Sequence, residues 1–134
     1  MVPDAPIIAL VDDDKIFQLT ALKTIKATAI TDNILQFENG EDALAYIKKN
    51  LTNAHNLPDY IFLDINMPFT DGWMFLEDYE ALKKNLPKPI SIYMVSSSID
   101  PSDIKRAKSN SNVKDYVVKP VTREKFIELL KQAA

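Results

Sequence analysis

The chain has 134 residues, 46% apolar and 26% charged, with a formal net charge of -3. This is the makeup of one ordinary globular domain over residues 1–134, and the acidic balance argues against nucleic acid as a main partner. There is no cysteine, which excludes disulfides, thiolate metal sites and cysteine nucleophiles.

No apolar run approaches the ~20 residues of a membrane span. The N-terminus MVPDAP lacks the basic-then-apolar pattern of a signal peptide, so a cytoplasmic location is expected.

Short apolar runs alternate with longer amphipathic segments. The first run, Ile7–Val11, reads as a buried strand and ends in three acids, Asp12, Asp13 and Asp14. Asp14 is placed to cap a helix over Lys15–Ala27, with Ile16, Leu19, Leu22 and Ile25 on one stripe. A second strand is expected over Ile34–Phe37. Asn39 can then cap a helix over Glu41–Lys49 that carries Ala43, Leu44 and Ile47. The polar stretch Asn50–Pro58 reads as an exposed loop, with the single histidine, His55, as a bystander.

The third strand, Tyr60–Leu63, runs into Asp64. Gly72 stands at the entry of a helix over Gly72–Lys84 that carries Phe75, Leu76, Tyr79 and Leu82. A fourth strand is expected over Ile90–Val95, followed by Asp100-Pro101, a cap before a proline at the first helical position. That helix spans Pro101–Ser109 and leaves through Asn110-Ser111-Asn112. The last strand, Tyr116–Val118, precedes a helix over Arg123–Lys131 with Thr122 as its cap. Lys15, Lys23, Lys26, Lys48 and Lys49 read as solvated helix faces.

The strands show little two-residue alternation, as expected of a parallel sheet covered on both faces. Five strands alternating with five helices imply a right-handed, doubly wound α/β fold. In such folds ligands bind at the carboxyl ends of the strands. There the chain puts Asp12 and Asp13, then Asp64, Ser96 and Lys119-Pro120. Convergent carboxylates suit a hard cation such as Mg²⁺. A carboxylate can also act as a nucleophile toward phosphorus, with a lysine and a hydroxyl to receive phosphoryl oxygens. With two glycines, far apart, there is no phosphate-cradling loop of the P-loop or dinucleotide type.

These residues also carry a family likeness. "ALVDDDK", "ENGEDAL", "IFLDINMPFTDGW", "MVSSS" and "DYVVKP", in that order, resemble the receiver domain of two-component response regulators, the CheY-like domain. The likeness covers essentially the whole chain. It implies a (βα)5 flavodoxin-like, three-layer fold with strand order 2-1-3-4-5; with no chain left after the fifth helix, no output domain is expected.

It further implies that Asp64 is the phosphorylated aspartate. Asp12 and Asp13 would place Mg²⁺, Asp13 directly and Asp12 through water, with the backbone carbonyl of Asn66 as a further ligand. Ser96 would be the switch hydroxyl, Lys119 the phosphoryl-binding lysine before a cis proline, and Tyr116 the switch aromatic. Asn66 and Ser98 stand where the family tunes hydrolysis of the phosphoryl group.

The donor would be a sensor histidine kinase or phosphotransfer protein. The output would pass to an unnamed protein through the face of helix four, strand five and helix five. Phe69, Trp73 and Met74 read either as partial packing at the start of helix three or as a donor-contact patch. A monomer or a weak phosphorylation-dependent dimer is expected, with Arg106 and Asp115 as candidates for pairing across a dimer face. Two other classes stand against this reading. One is a phosphorylation-independent receiver-like scaffold, against which the complete acidic set argues. The other is an aspartate-nucleophile phosphohydrolase, which would need an acid where Asn66 stands.

Overall fold

The computed structural model describes residues 5–67 and 70–131. Phe69 and the proline of the Met-Pro pair lie outside the described residues. The elements run β1 (Ile8–Val11), α1 (Lys15–Ala27), β2 (Ile34–Phe37), α2 (Gly40–Lys49), β3 (Tyr60–Asp64), α3 (Gly72–Lys83), β4 (Ser91–Ser96), α4 (Pro101–Lys108), β5 (Val113–Val118) and α5 (Arg123–Lys131). All neighbouring strands pair in parallel, in the order β2-β1-β3-β4-β5. This is the doubly wound architecture expected from the alternation, with the flavodoxin-like strand order that the family likeness implies. Among the described residues no helix is long and apolar enough to cross a membrane.

Each strand sends alternate residues to opposite faces. Ala9, Val11, Ile61, Leu63, Ile92 and Met94 pack with Leu44, Ile47, Phe75 and Leu76, so α2 and α3 cover that face, with Ala107 of α4. Ile8, Leu10, Phe62 and Val95 pack with Ala21, Ile25, Phe126 and Leu129, so α1 and α5 cover the other. The Phe126 ring meets Phe62 edge-on at 5.2 Å between centroids.

Side-chain caps start the helices. Asp14 accepts from the Ile16 and Phe17 N–H groups, and Asn39 from that of Asp42. Asp71 accepts from the Met74 N–H and Asp100 from that of Ser102. The Thr122 hydroxyl accepts from the Lys125 N–H at 3.1 Å. These bonds satisfy donors that a helix start leaves unpaired.

Three expectations need correction. The stripe Ile16–Leu19–Leu22–Ile25 is not the inner face of α1: Ile16 is 79% and Leu19 54% exposed, and the buried residues are Gln18, Ala21 and Ile25. Selecting by apolarity alone chose the wrong face, because the true one includes a polar residue. Second, β5 begins at Val113, not Tyr116. It is an edge strand, so Lys114 lies exposed and the run is less apolar at its start. Third, the loop before β3 holds one 3₁₀ turn, Ala54–Asn56, in which His55 is exposed. Of the remaining elements, α1, β2 and α5 have the expected bounds and the others shift by one residue.

Candidate functional site

The sheet register brings the site together. Val11 pairs with Leu63, and Asp64 with Val95. Asp12 therefore leaves β1 beside Asp64 at the end of β3. Oxygens of Asp12, Asp13 and Asp64 lie within 4.8 Å of one another. Asp12 and Asp64 are buried, at 1% and 7% exposure, while Asp13 is exposed. A cleft of about 310 Å³ between α1 and the end of β2 opens beside the two adjacent acids.

Lys119 enters from the end of β5. Its Nζ is 2.8 Å from Asp12 Oδ2 and 3.8 Å from Asp64 Oδ1. It also lies 4.5 Å from the centre of the Phe17 ring on α1, a cation–π distance. The Lys119 N–H donates to the Ser96 carbonyl at 2.9 Å, and the Lys119–Pro120 bond is cis.

One lysine does not neutralise three acids. The Asp64 carboxyl is pushed up to about 7, first by burial and then by the Asp12 charge; Lys119 works against the shift, Asp13 adds to it, and the Ile65 N–H opposes it. Asp12 Oδ1 accepts from the Asp14 N–H at 2.9 Å. Buried Oδ2 is paired with the Lys119 ammonium at 2.8 Å. An oxygen-only cluster of three carboxylates, with one lysine to offset them, fits a small divalent cation.

The remaining residues line the exit from β4. Ser96 is 2% exposed and its Oγ accepts from the Ser98 N–H at 3.1 Å. Tyr116 is 8% exposed, and its hydroxyl donates to the Ser98 carbonyl at 2.7 Å. The Ser98 hydroxyl donates to Asp103 on α4 at 3.0 Å. Asn66 is exposed, two residues beyond Asp64. The Gly72 N–H donates to the Ile65 carbonyl at 2.8 Å, and the Thr70 hydroxyl to Glu41 at 3.2 Å.

Trp73 is half-buried and packs against the core, while Met74 is 47% exposed. Within the chain Arg106 does not meet Asp115. Its guanidinium stacks 4.1 Å from the Trp73 ring centre, and Asp115 accepts from the Tyr116 N–H. Two residues beside the site escaped the sequence reading. Phe17 and Gln18 sit one helical turn after the acids, and nothing in the sequence distinguishes either from an ordinary helix residue.

A doubly wound parallel sheet with clustered acids, a lysine and a hydroxyl at its carboxyl edge defines an α/β protein with an acidic pocket at the strand ends. The chain matches the family described as response regulator receiver domain over residues 8–131. It belongs to that family.

It is 29% identical over 126 residues to the chemotaxis protein CheY of Listeria monocytogenes, covering 93% of this chain and 96% of that one. It is 29% identical over 131 residues to the sensor histidine kinase CheAY of Helicobacter pylori, where 98% of this chain spans 15% of that protein. A two-component response regulator from Cytophaga hutchinsonii superposes with a TM-score of 0.79 at 29% identity, covering 93% of both chains.

Proposed function

We propose that the chain is a phosphoacceptor that takes a phosphoryl group onto Asp64 and passes the change on through protein contacts. The observation that carries this is the cluster of Asp12, Asp13 and Asp64 oxygens within 4.8 Å, with Lys119 beside two of them. An Asp64 carboxylate oxygen attacks the phosphorus of a phosphohistidine. The P–N bond breaks, and its electron pair leaves with the imidazole. The donor is a sensor histidine kinase or a phosphotransfer protein, a reading supported by the likeness to part of a sensor histidine kinase.

Asp12, Asp13, Asp64 and the Asn66 carbonyl are the residues to hold Mg²⁺. When bound, the cation neutralises charge that spreads over the phosphoryl oxygens. Lys119 donates to one phosphoryl oxygen and Ser96 to another. In doing so Ser96 would pull on the loop that Ser98 anchors, and Tyr116, bonded to the same Ser98, would respond. The change is then read on the face of α4, β5 and α5, as a shift between two populations of the domain. The chain thus promotes its own phosphorylation and dephosphorylation as a signalling domain.

The test is incubation with Mg²⁺ and a small acyl phosphate, read by intact mass. The wild type gains one phosphoryl group and Asp64→Asn does not. If neither a phosphoryl adduct nor beryllofluoride binding is detected where a control receiver reacts, the proposal is wrong and the scaffold reading replaces it.

A further inference from the structure

Gln18 is the one polar residue on the buried face of α1, at 9% exposure. A buried amide is costly unless its hydrogen bonds are made. Its Nε2 lies within hydrogen-bond distance of three backbone carbonyls, Leu10 at 3.1 Å, Asp12 at 3.0 Å and Phe37 at 3.0 Å, so its two hydrogens are shared among them. The Gln36 side chain on β2 donates to both the Gln18 backbone carbonyl and Oε1, each at 3.1 Å. That donor identifies which end of the Gln18 amide is oxygen, and so which end faces the carbonyls.

The three carbonyls mark where the β1–β2 ladder ends and the loop bearing the acids begins. The Asp12 N–H donates to the Phe37 carbonyl at 3.0 Å. The Asp12 carbonyl is held by Gln18. Both peptide planes flanking the Asp12 Cα are therefore fixed. The second plane is also the first of Asp13, and this decides the matter. Asp12 has two further restraints, the Asp14 N–H and Lys119. Asp13 is exposed, and among the described residues nothing hydrogen-bonds or ion-pairs with its carboxylate. The backbone sets the direction of its Cα–Cβ bond, and so where its carboxylate reaches.

We infer that Gln18 is a positioning residue for the cation site. Its amide clamps the Asp12–Asp13 peptide and so aims the Asp13 carboxylate at the place where a divalent ion meets Asp64. The inference rests on the cation site proposed above. Outer partners of this kind orient ligands without touching the ion.

The experiment is titration of the full chain with Mg²⁺ alone, by calorimetry, below the unfolding transition of every variant. Gln18→Met keeps the length and removes the donor. Its dissociation constant for Mg²⁺ is expected to rise about tenfold. Gln36→Leu, at an exposed strand position, removes only the outer support of Gln18 and is expected to weaken binding less, in the same direction. It carries the test if Gln18→Met does not fold.

A merely structural Gln18 would lower the unfolding temperature in EDTA and leave the dissociation constant of the folded protein unchanged. That outcome overturns the inference. A wild type that binds no Mg²⁺ overturns the cation site itself, and the two failures are told apart by the wild-type titration.

Discussion

Lys119 Nζ sits 2.8 Å from Asp12 Oδ2. The ammonium thus occupies, in part, the electrostatic role that a divalent cation would take. Two unit charges at such a distance interact strongly in a partly buried site. Lys119 should therefore compete with Mg²⁺ for Asp12, as well as serving the phosphoryl group. Lys119→Met is expected to bind Mg²⁺ at least several-fold more tightly than wild type, while its phosphorylation by a small acyl phosphate slows by a larger factor. Calorimetry and intact mass measure the two effects. Weaker Mg²⁺ binding in the variant would mean that the lysine organises the acids rather than competing for them.

The raised Asp64 carboxyl predicts an unusual pH dependence of stability in EDTA. Its pKa is about 7 in the folded chain against 3.8 as a free side chain. Between these values the folded state keeps a proton that the unfolded state has lost. The unfolded state binds fewer protons, so stability falls as pH rises from 4 toward 7. Urea unfolding at pH 5 and at pH 7.5 should show this loss in the wild type. Asp64→Asn should remove that part of the slope. The same slope in both proteins would show that Asp64 ionises normally.

The two glycines predict different outcomes on substitution by alanine. A Cβ on Gly72 would stand 2.5 Å from the Asp64 carbonyl oxygen and 2.8 Å from Met94 Cε. The first contact is backbone and cannot swing away. On Gly40 the nearest atoms are Thr70 Cγ2 at 3.1 Å and the Thr70 carbonyl at 3.2 Å, which a small shift relieves. Gly72→Ala is expected to cost about 2–3 kcal/mol or more, and Gly40→Ala at most about 1. Thermal unfolding would rank them. Equal losses would mean that the end of β3 yields.

Much of this site was legible in the sequence because it is carried by strand ends. In a parallel sheet, residues just past each strand reach one edge whatever the loops do, so Asp12, Asp64, Ser96 and Lys119 could be placed together early. Capping at Asp14, Asn39, Asp100 and Thr122 was legible for a similar reason, since it is local chemistry. The inner face of α1 was not. Gln18 is buried because three carbonyls from two strands converge on it, and no helical period encodes that. Ile16 and Leu19, although apolar, lie on the opposite side and stay exposed. The cation–π contacts at Phe17 and Trp73 also depend on distant partners.

The turn after α1 contains a built-in weakness. Ala29 has a φ of 60°, the left-handed region, and is exposed. A side chain there costs about 1–2 kcal/mol, which glycine avoids, while glycine adds some unfolded-state entropy. Ala29→Gly should therefore stabilise the chain by about 0.5–1 kcal/mol and leave Mg²⁺ binding unchanged. A lower unfolding temperature would show that the turn relaxes to a negative φ in solution.

Trp73 is placed to report on two events separately. The preceding Gly72 N–H is bonded to the Ile65 carbonyl, next to Asp64, so a cation entering the acid cluster should perturb the indole through α3. On its other side Arg106 of α4 stacks at 4.1 Å, so displacement of α4 should perturb it through the guanidinium. Mg²⁺ should change the Trp73 emission in the wild type and in Arg106→Leu, but not in Asp13→Ala. Beryllofluoride with Mg²⁺ should add a second change in the wild type, reduced or absent in Arg106→Leu. If the second change is the same in both, α4 does not move relative to Trp73. The proposed output through α4 would then have to run through β5 and α5 alone.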